Sequence, residues 1–229
     1  MTLEGLTIAA MLISVIISIA MGIGLTYLYL KTHRIHIAIW SFALYFMGLR
    51  VLIYLLGAVT FIHIPNSVHF TNDVLLIMVD VLWIYGIFHF LEYATEKKRI
   101  LIYGFVGCVM LLSILFTLNT PGSILAGEGI TLVIIHPSLL SYLFWIFYRS
   151  GREVDSPAMR YLGIAFLLWA ADFIIFGIPY FVYKDPLAGA LGWTIGLTFR
   201  LMLAYGLIEM RKEAMEIEGT NPPAGKASR

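Results

Sequence analysis

Seven apolar runs follow one another along the chain, at residues 6–30, 37–62, 72–94, 100–118, 130–148, 158–183 and 187–210. Each is close to or above the roughly 20 residues that carry an α-helix across about 30 Å of hydrocarbon. Short polar stretches separate them. Lys31-Thr-His-Arg-Ile-His36 closes the first run, and His63, Pro65, Asn66 and His69 mark a loop before the third. Glu96-Lys-Lys-Arg99 ends the third, and residues 119–129, with Pro121 and several glycines, read as a loop. The pattern predicts an all-α polytopic membrane protein built as a seven-transmembrane-helix bundle. Residues 1–212 form the transmembrane domain, and residues 213–229 are expected as a disordered cytoplasmic tail ending in Asn-Pro-Pro-Ala-Gly and a few polar residues.

Small residues at helical spacing say where helices approach closely: Ser14, Ser18, Gly22 and Gly24 in the first run, and Gly189, Gly192 and Gly196 in the seventh. His136-Pro137 in the fifth run predicts a kink. His136 is expected to partner backbone groups freed there, with Ser138 and Ser141 helping.

Composition strengthens this picture. The chain is 60% hydrophobic and only 13% charged, against about 25% charged in soluble domains. Mean hydropathy is +0.89. A water-soluble fold of this size cannot hide so much apolar surface, so the lipid bilayer is the expected partner. The opening MTLEGL has no Lys or Arg, and the run behind it is too long for a signal-peptide core, so a retained helix is expected. A single cysteine, Cys108, excludes an intrachain disulfide and a cysteine metal cluster. No basic patch of the kind that binds nucleic acid occurs.

The net charge of +1 conceals a segregation. Twelve basic residues (Lys31, Arg34, Lys97, Lys98, Arg99, Arg149, Arg152, Arg160, Arg211, Lys212, Lys226 and Arg229) fall on one side of a seven-span topology, and only Lys184 on the other. The positive side faces the cytoplasm, which predicts N-out/C-in in a cell membrane.

An internal repeat accompanies the count. WSFALYFMGLRVLIYLLG from Trp40 lies against LGIAFLLWAADFIIFGIP from Leu162, with Arg50 on Asp172, and Phe90-Leu-Glu92 echoes Leu207-Ile-Glu209. A 3+1+3 arrangement of parallel repeats is expected, with the uncharged run 100–118 as connector.

Four ionisable residues lie deep in the apolar runs, and their charges cancel: Arg50, Asp80, Asp172 and Arg200. A bare guanidinium at the bilayer centre costs from about 2.5 to more than 10 kcal/mol. Each arginine is therefore expected to take an aspartate in its planar fork. Trp83 follows Asp80 by three residues and Trp169 precedes Asp172 by three, so each shares a face with a charge. Arg50, Asp80, Trp83, Trp169, Asp172 and Arg200 are the candidate binding residues for a small molecule, with Asp80 expected about 12 Å below the outer end of its helix. Charges that only staple helices together are the competing reading. His89 is expected as a packed residue. No zinc-ligand spacing, nucleophile elbow, phosphate loop, seventh-run lysine or pair of broken half-helices occurs. No enzymatic activity, metal or cofactor is expected.

Seven helices, the N-out/C-in topology, Trp40 near the start of the second run and charged exits from the third and seventh resemble the seven-helix N-terminal membrane sensor regions of bacterial and archaeal histidine kinases and related signalling proteins. The likeness is architectural. It implies an integral membrane sensor or receptor-like module. Those regions feed a cytoplasmic output domain, whereas here only residues 211–229 follow the last run, so the resemblance implies a signalling partner, a homo-oligomer or an output domain that is lost or truncated. A small transporter or ion- or proton-conducting protein using Asp80 and Asp172 is the alternative.

Overall fold

The computed structural model describes residues 2–60, 66–91, 135–177 and 185–220, together with Gly104, Gly107 and Pro179. Among these residues the chain is all-helical: α1 (Leu3–Thr32), α2 (Ile35–Thr60), α3 (Asn66–Leu91), α4 (His136–Glu153), α5 (Pro157–Asp172) and α6 (Pro186–Thr220). A π-helical turn, Phe173–Gly177, prolongs α5. The run 100–118, the expected connector, lies outside the described residues apart from its two glycines.

Helices adjacent in sequence pack together: α1 on α2, α2 on α3, α4 on α5 and α5 on α6; α1 also packs on α6, and α3 touches α4 more lightly. Serine and glycine make the α1–α2 seam, as expected from their spacing. Ser14 and Ser18 are fully buried, and the Tyr45 ring lies where a Cβ on Gly22 would be, at 2.7 Å. Ser41 Oγ donates to the Gly22 carbonyl at 3.1 Å, and Thr26 Oγ1 meets Ser41 Oγ at 2.7 Å and Tyr45 Oη at 2.9 Å. Gly24 has no neighbour within 4 Å and faces outward.

The core is aromatic. Trp40 stacks on Trp83 at 5.6 Å between centroids, Trp83 meets Phe166 edge-on at 5.3 Å, and Phe166 stacks on Phe147 at 5.5 Å. Gly86 carries no side chain, and that is what admits the Trp40 indole. Outward-facing positions are apolar too, including Ile16, Ile23, Phe42, Leu56, Ile175, Leu201 and Ile208. In water such a surface would be an aggregation hazard; against lipid it is the expected covering. Four helices among the described residues are long and apolar enough to cross a membrane: Leu3–Thr32, Ile35–Gly57, Pro157–Gly177 and Pro186–Glu213.

The ends of the bundle differ. Tyr27 near the end of α1 lies within electrostatic reach of Arg211 in α6, so these helices run parallel. Glu213 of α6 accepts from Ser156 Oγ at 2.5 Å and from the Ala158 N–H at 3.0 Å, fastening α6 to the first turn of α5. Lys31, Arg34, Arg149, Arg152, Arg160, Arg211 and Lys212 therefore share one end. The α5-to-α6 connection lies at the other.

Two boundaries depart from expectation. α3 begins at Asn66, within the expected loop, where Asn66 and Ser67 lack the apolarity that marks a span. α6 continues to Thr220, into the expected tail; Lys, Glu, Ala and Met are strong helix formers, and Lys212 pairs with Glu209 at 2.6 Å. At 35 residues α6 is about 50 Å long and outlasts the hydrocarbon thickness. Residues 221–229 lie outside the described residues. Pro137 sits in the first turn of α4, and the residues before Ile135, where the expected kink would show, lie outside the described residues.

Candidate functional site

The deep charges form two neighbouring centres. The first joins α3 to α4. Asp80, midway along α3, places Oδ2 2.6 Å from Nδ1 of His136, the first residue of α4, and both side chains are fully buried. The His136 ring stands edge-on to Trp169 at 4.7 Å and to Phe173 at 4.4 Å. Arg50 lies within electrostatic reach of both members. Its guanidinium carbon is 5.8 Å from the Phe173 ring centroid and 5.6 Å from that of Tyr54.

This centre corrects two expectations. Among the described residues neither Arg50 nor Arg200 forms an ion pair with an aspartate, and the carboxylate of Asp80 is held by a histidine instead. Charge balance along a sequence cannot say which partner is within reach; the approach of α4 to α3 does. His136 spends Nδ1 on Asp80, and its Nε2 has no hydrogen-bond partner, so it serves no backbone group. Asp80 is also deeper than expected. With α3 starting at Asn66, it lies about 20 Å along the helix.

The second centre is a pocket between α2, α5 with its π turn, and α6. Arg50, Trp169, Asp172, Phe173, Phe176, Ala188, Gly192, Trp193, Gly196 and Arg200 line it. It is partly open and has a volume of about 50 Å³, more than the roughly 10–15 Å³ that one water needs. Gly192 and Gly196 leave the α6 backbone bare here. A Cβ on Gly196 would stand 3.7 Å from Asp172 Oδ2 and 3.2 Å from Arg200 Nη1, so the carboxylate and the guanidinium flank one glycine without forming an ion pair. Arg200 Nη1 donates to the Gly196 carbonyl at 2.8 Å. The Nε atoms of Arg50 and Arg200 and Oδ1 of Asp172 are buried without a hydrogen-bond partner. The π turn begins immediately after Asp172 and supplies Phe173 and Phe176 to the wall. Such turns inside helices are often found at functional sites.

Four candidate residues (Arg50, Trp169, Asp172 and Arg200) thus line one pocket, while Asp80 and Trp83 do not. Trp83 is fully buried between Trp40 and Phe166 and serves as core. Trp169 faces both centres, stacking on Phe199 at 4.4 Å and contacting His136. The residue that sequence reasoning missed is His136 as the partner of Asp80. The available signal was its place inside an apolar run, where any ionisable residue is a site candidate.

The described residues define an all-helical protein with four helices long and apolar enough to cross a membrane. Beyond that class, no protein-family model, no curated protein and no solved structure matches the chain.

Proposed function

We propose that the chain is a multi-pass cell-membrane protein of seven spans, N-out/C-in, acting as a sensor or receptor-like module without enzymatic chemistry of its own. A small molecule enters the pocket between α2, α5 and α6 and is signalled through a partner or a second copy. The observation that carries this reading is the pocket itself: two buried arginines and a carboxylate, unpaired with one another, line a partly open cavity. It lies toward the end of the bundle away from the basic residues, which under the positive-inside rule is the outer end. The 3+1+3 repeat is supported by the packing, since α1–α2–α3 and α4–α5–α6 follow the same neighbour order.

Topology is tested by cysteine labelling in a Cys108→Ser background. Leu187→Cys should react with an external impermeant thiol reagent, and His33→Cys and Arg152→Cys should react only after permeabilisation. External labelling of His33→Cys would reverse the orientation.

The second reading, a proton-conducting protein or small transporter, is favoured by the buried His136–Asp80 contact beside Arg50, an arrangement able to hold and pass a proton. Reconstituted liposomes under a pH gradient separate the two. The sensor gives no flux above empty liposomes, whereas flux abolished by Asp80→Asn would establish the transporter.

A further inference from the structure

The pocket carries more positive charge than its own carboxylate balances. Arg50 and Arg200 both line it at 3% and 2% exposure, and the Nε of each lacks an acceptor. Asp172 is the acidic side chain among the lining residues. Asp80, the other deep carboxylate, is engaged by His136 and lies outside the lining. Guanidinium groups short of acceptors in a water-poor interior are costly, and an entering anion relieves that cost. Arg200 has Nη1 committed to the Gly196 carbonyl and Nε closed off from the cavity, so its second amino group is the donor left for an incoming acceptor. Planar oxygen-bearing groups suit guanidinium donors. Trp169 and Trp193 add flat apolar walls. The unpartnered Oδ1 of Asp172 repels a second negative charge, which favours a monoanion over a dianion.

We propose that the pocket takes a small monoanion of about four heavy atoms, a short carboxylate or a planar oxyanion of that size, held between Arg50 and Arg200 beside Trp169 and Trp193. This rests on reading the pocket as the ligand site. The same planar oxygen chemistry comes from two sources, a short organic acid or an inorganic oxyanion.

Binding is measured on the full chain in detergent micelles by thermal stabilisation and by tryptophan emission. The probes are acetate, acetamide, methylammonium, nitrate and sulfate. Acetate or nitrate is expected to raise the melting temperature, and which of them does so identifies the source. Acetamide, methylammonium and dianionic sulfate should bind at least about tenfold more weakly. Arg200→Lys keeps the charge but not the planar fork and should bind the anion more weakly, and Arg200→Gln should lose it. Ala188→Leu fills the pocket without touching a charge and should abolish binding, which keeps the test usable if Arg200→Gln does not fold. If methylammonium or acetamide binds as well as acetate and Ala188→Leu abolishes it, the pocket stands and the anion falls. Anion binding undiminished by Ala188→Leu would remove both. Absence of binding by acetate and by nitrate to the folded protein would overturn the anion proposal.

Discussion

At Asp80 and His136 a carboxylate and an imidazole meet at 2.6 Å inside a shell of aromatic rings, with no exposure of either side chain. Beside them, at Asp172 and Arg200, opposite charges flank a bare glycine without meeting, and a cavity remains. Both centres hold charges that lipid would penalise. The difference lies in what surrounds the charges. Large rings fill the first and force direct pairing; glycines on α6 and a π turn on α5 keep space in the second. A buried pair that is closed and dry holds helices in register, while groups left without partners beside a cavity are set to receive something.

If that contrast is real, the two centres respond differently to mutation. The largest effect is expected from His136→Leu, which strands the Asp80 carboxylate and should cost about 3–5 kcal/mol. The double variant His136→Leu/Asp80→Leu should recover part of that loss. Chemical denaturation in detergent measures both, and equal stability of single and double variants would dissolve the sealed pair as a coupled unit.

Next in size is the glycine comparison. Gly86→Ala drives a methyl into the Trp40 indole and should cost about 1–3 kcal/mol. Gly196→Ala meets the movable end of Arg200 at 3.2 Å and should cost less than about 1 kcal/mol while narrowing the pocket. A reversed order of the two melting temperatures would show that the α6 glycines serve packing and not the cavity.

The smallest effect is expected at Arg50. With no carboxylate in ion-pair contact, Arg50→Met should change stability by about 1 kcal/mol or less, in contrast to His136→Leu. A loss as large as that of His136→Leu would mean that Arg50 is bound into the sealed centre through its field on Asp80.

The long apolar helices were legible because apolarity over about 20 residues is a local property. The runs 6–30 and 187–210 match α1 and the apolar part of α6 closely, and the described part of the run 158–183 matches α5 with its π turn. Helix ends beyond the apolar runs were less legible. Asn66 and Glu213 stand in polar segments that are helical, which a hydropathy pattern does not register.

The sequence by itself determined that Arg50, Asp80, Asp172 and Arg200 must face the interior, because burying an ion in lipid costs more than any arrangement inside the protein, and Arg50, Asp80 and Arg200 are buried. Only the tertiary structure decided how they divide. Pairing depends on which helices approach and at what height, and α4 brought His136 to Asp80 from 56 positions away. The space beside Asp172 likewise comes from one helix's glycines meeting another helix's π turn, a junction between two segments that neither segment encodes alone.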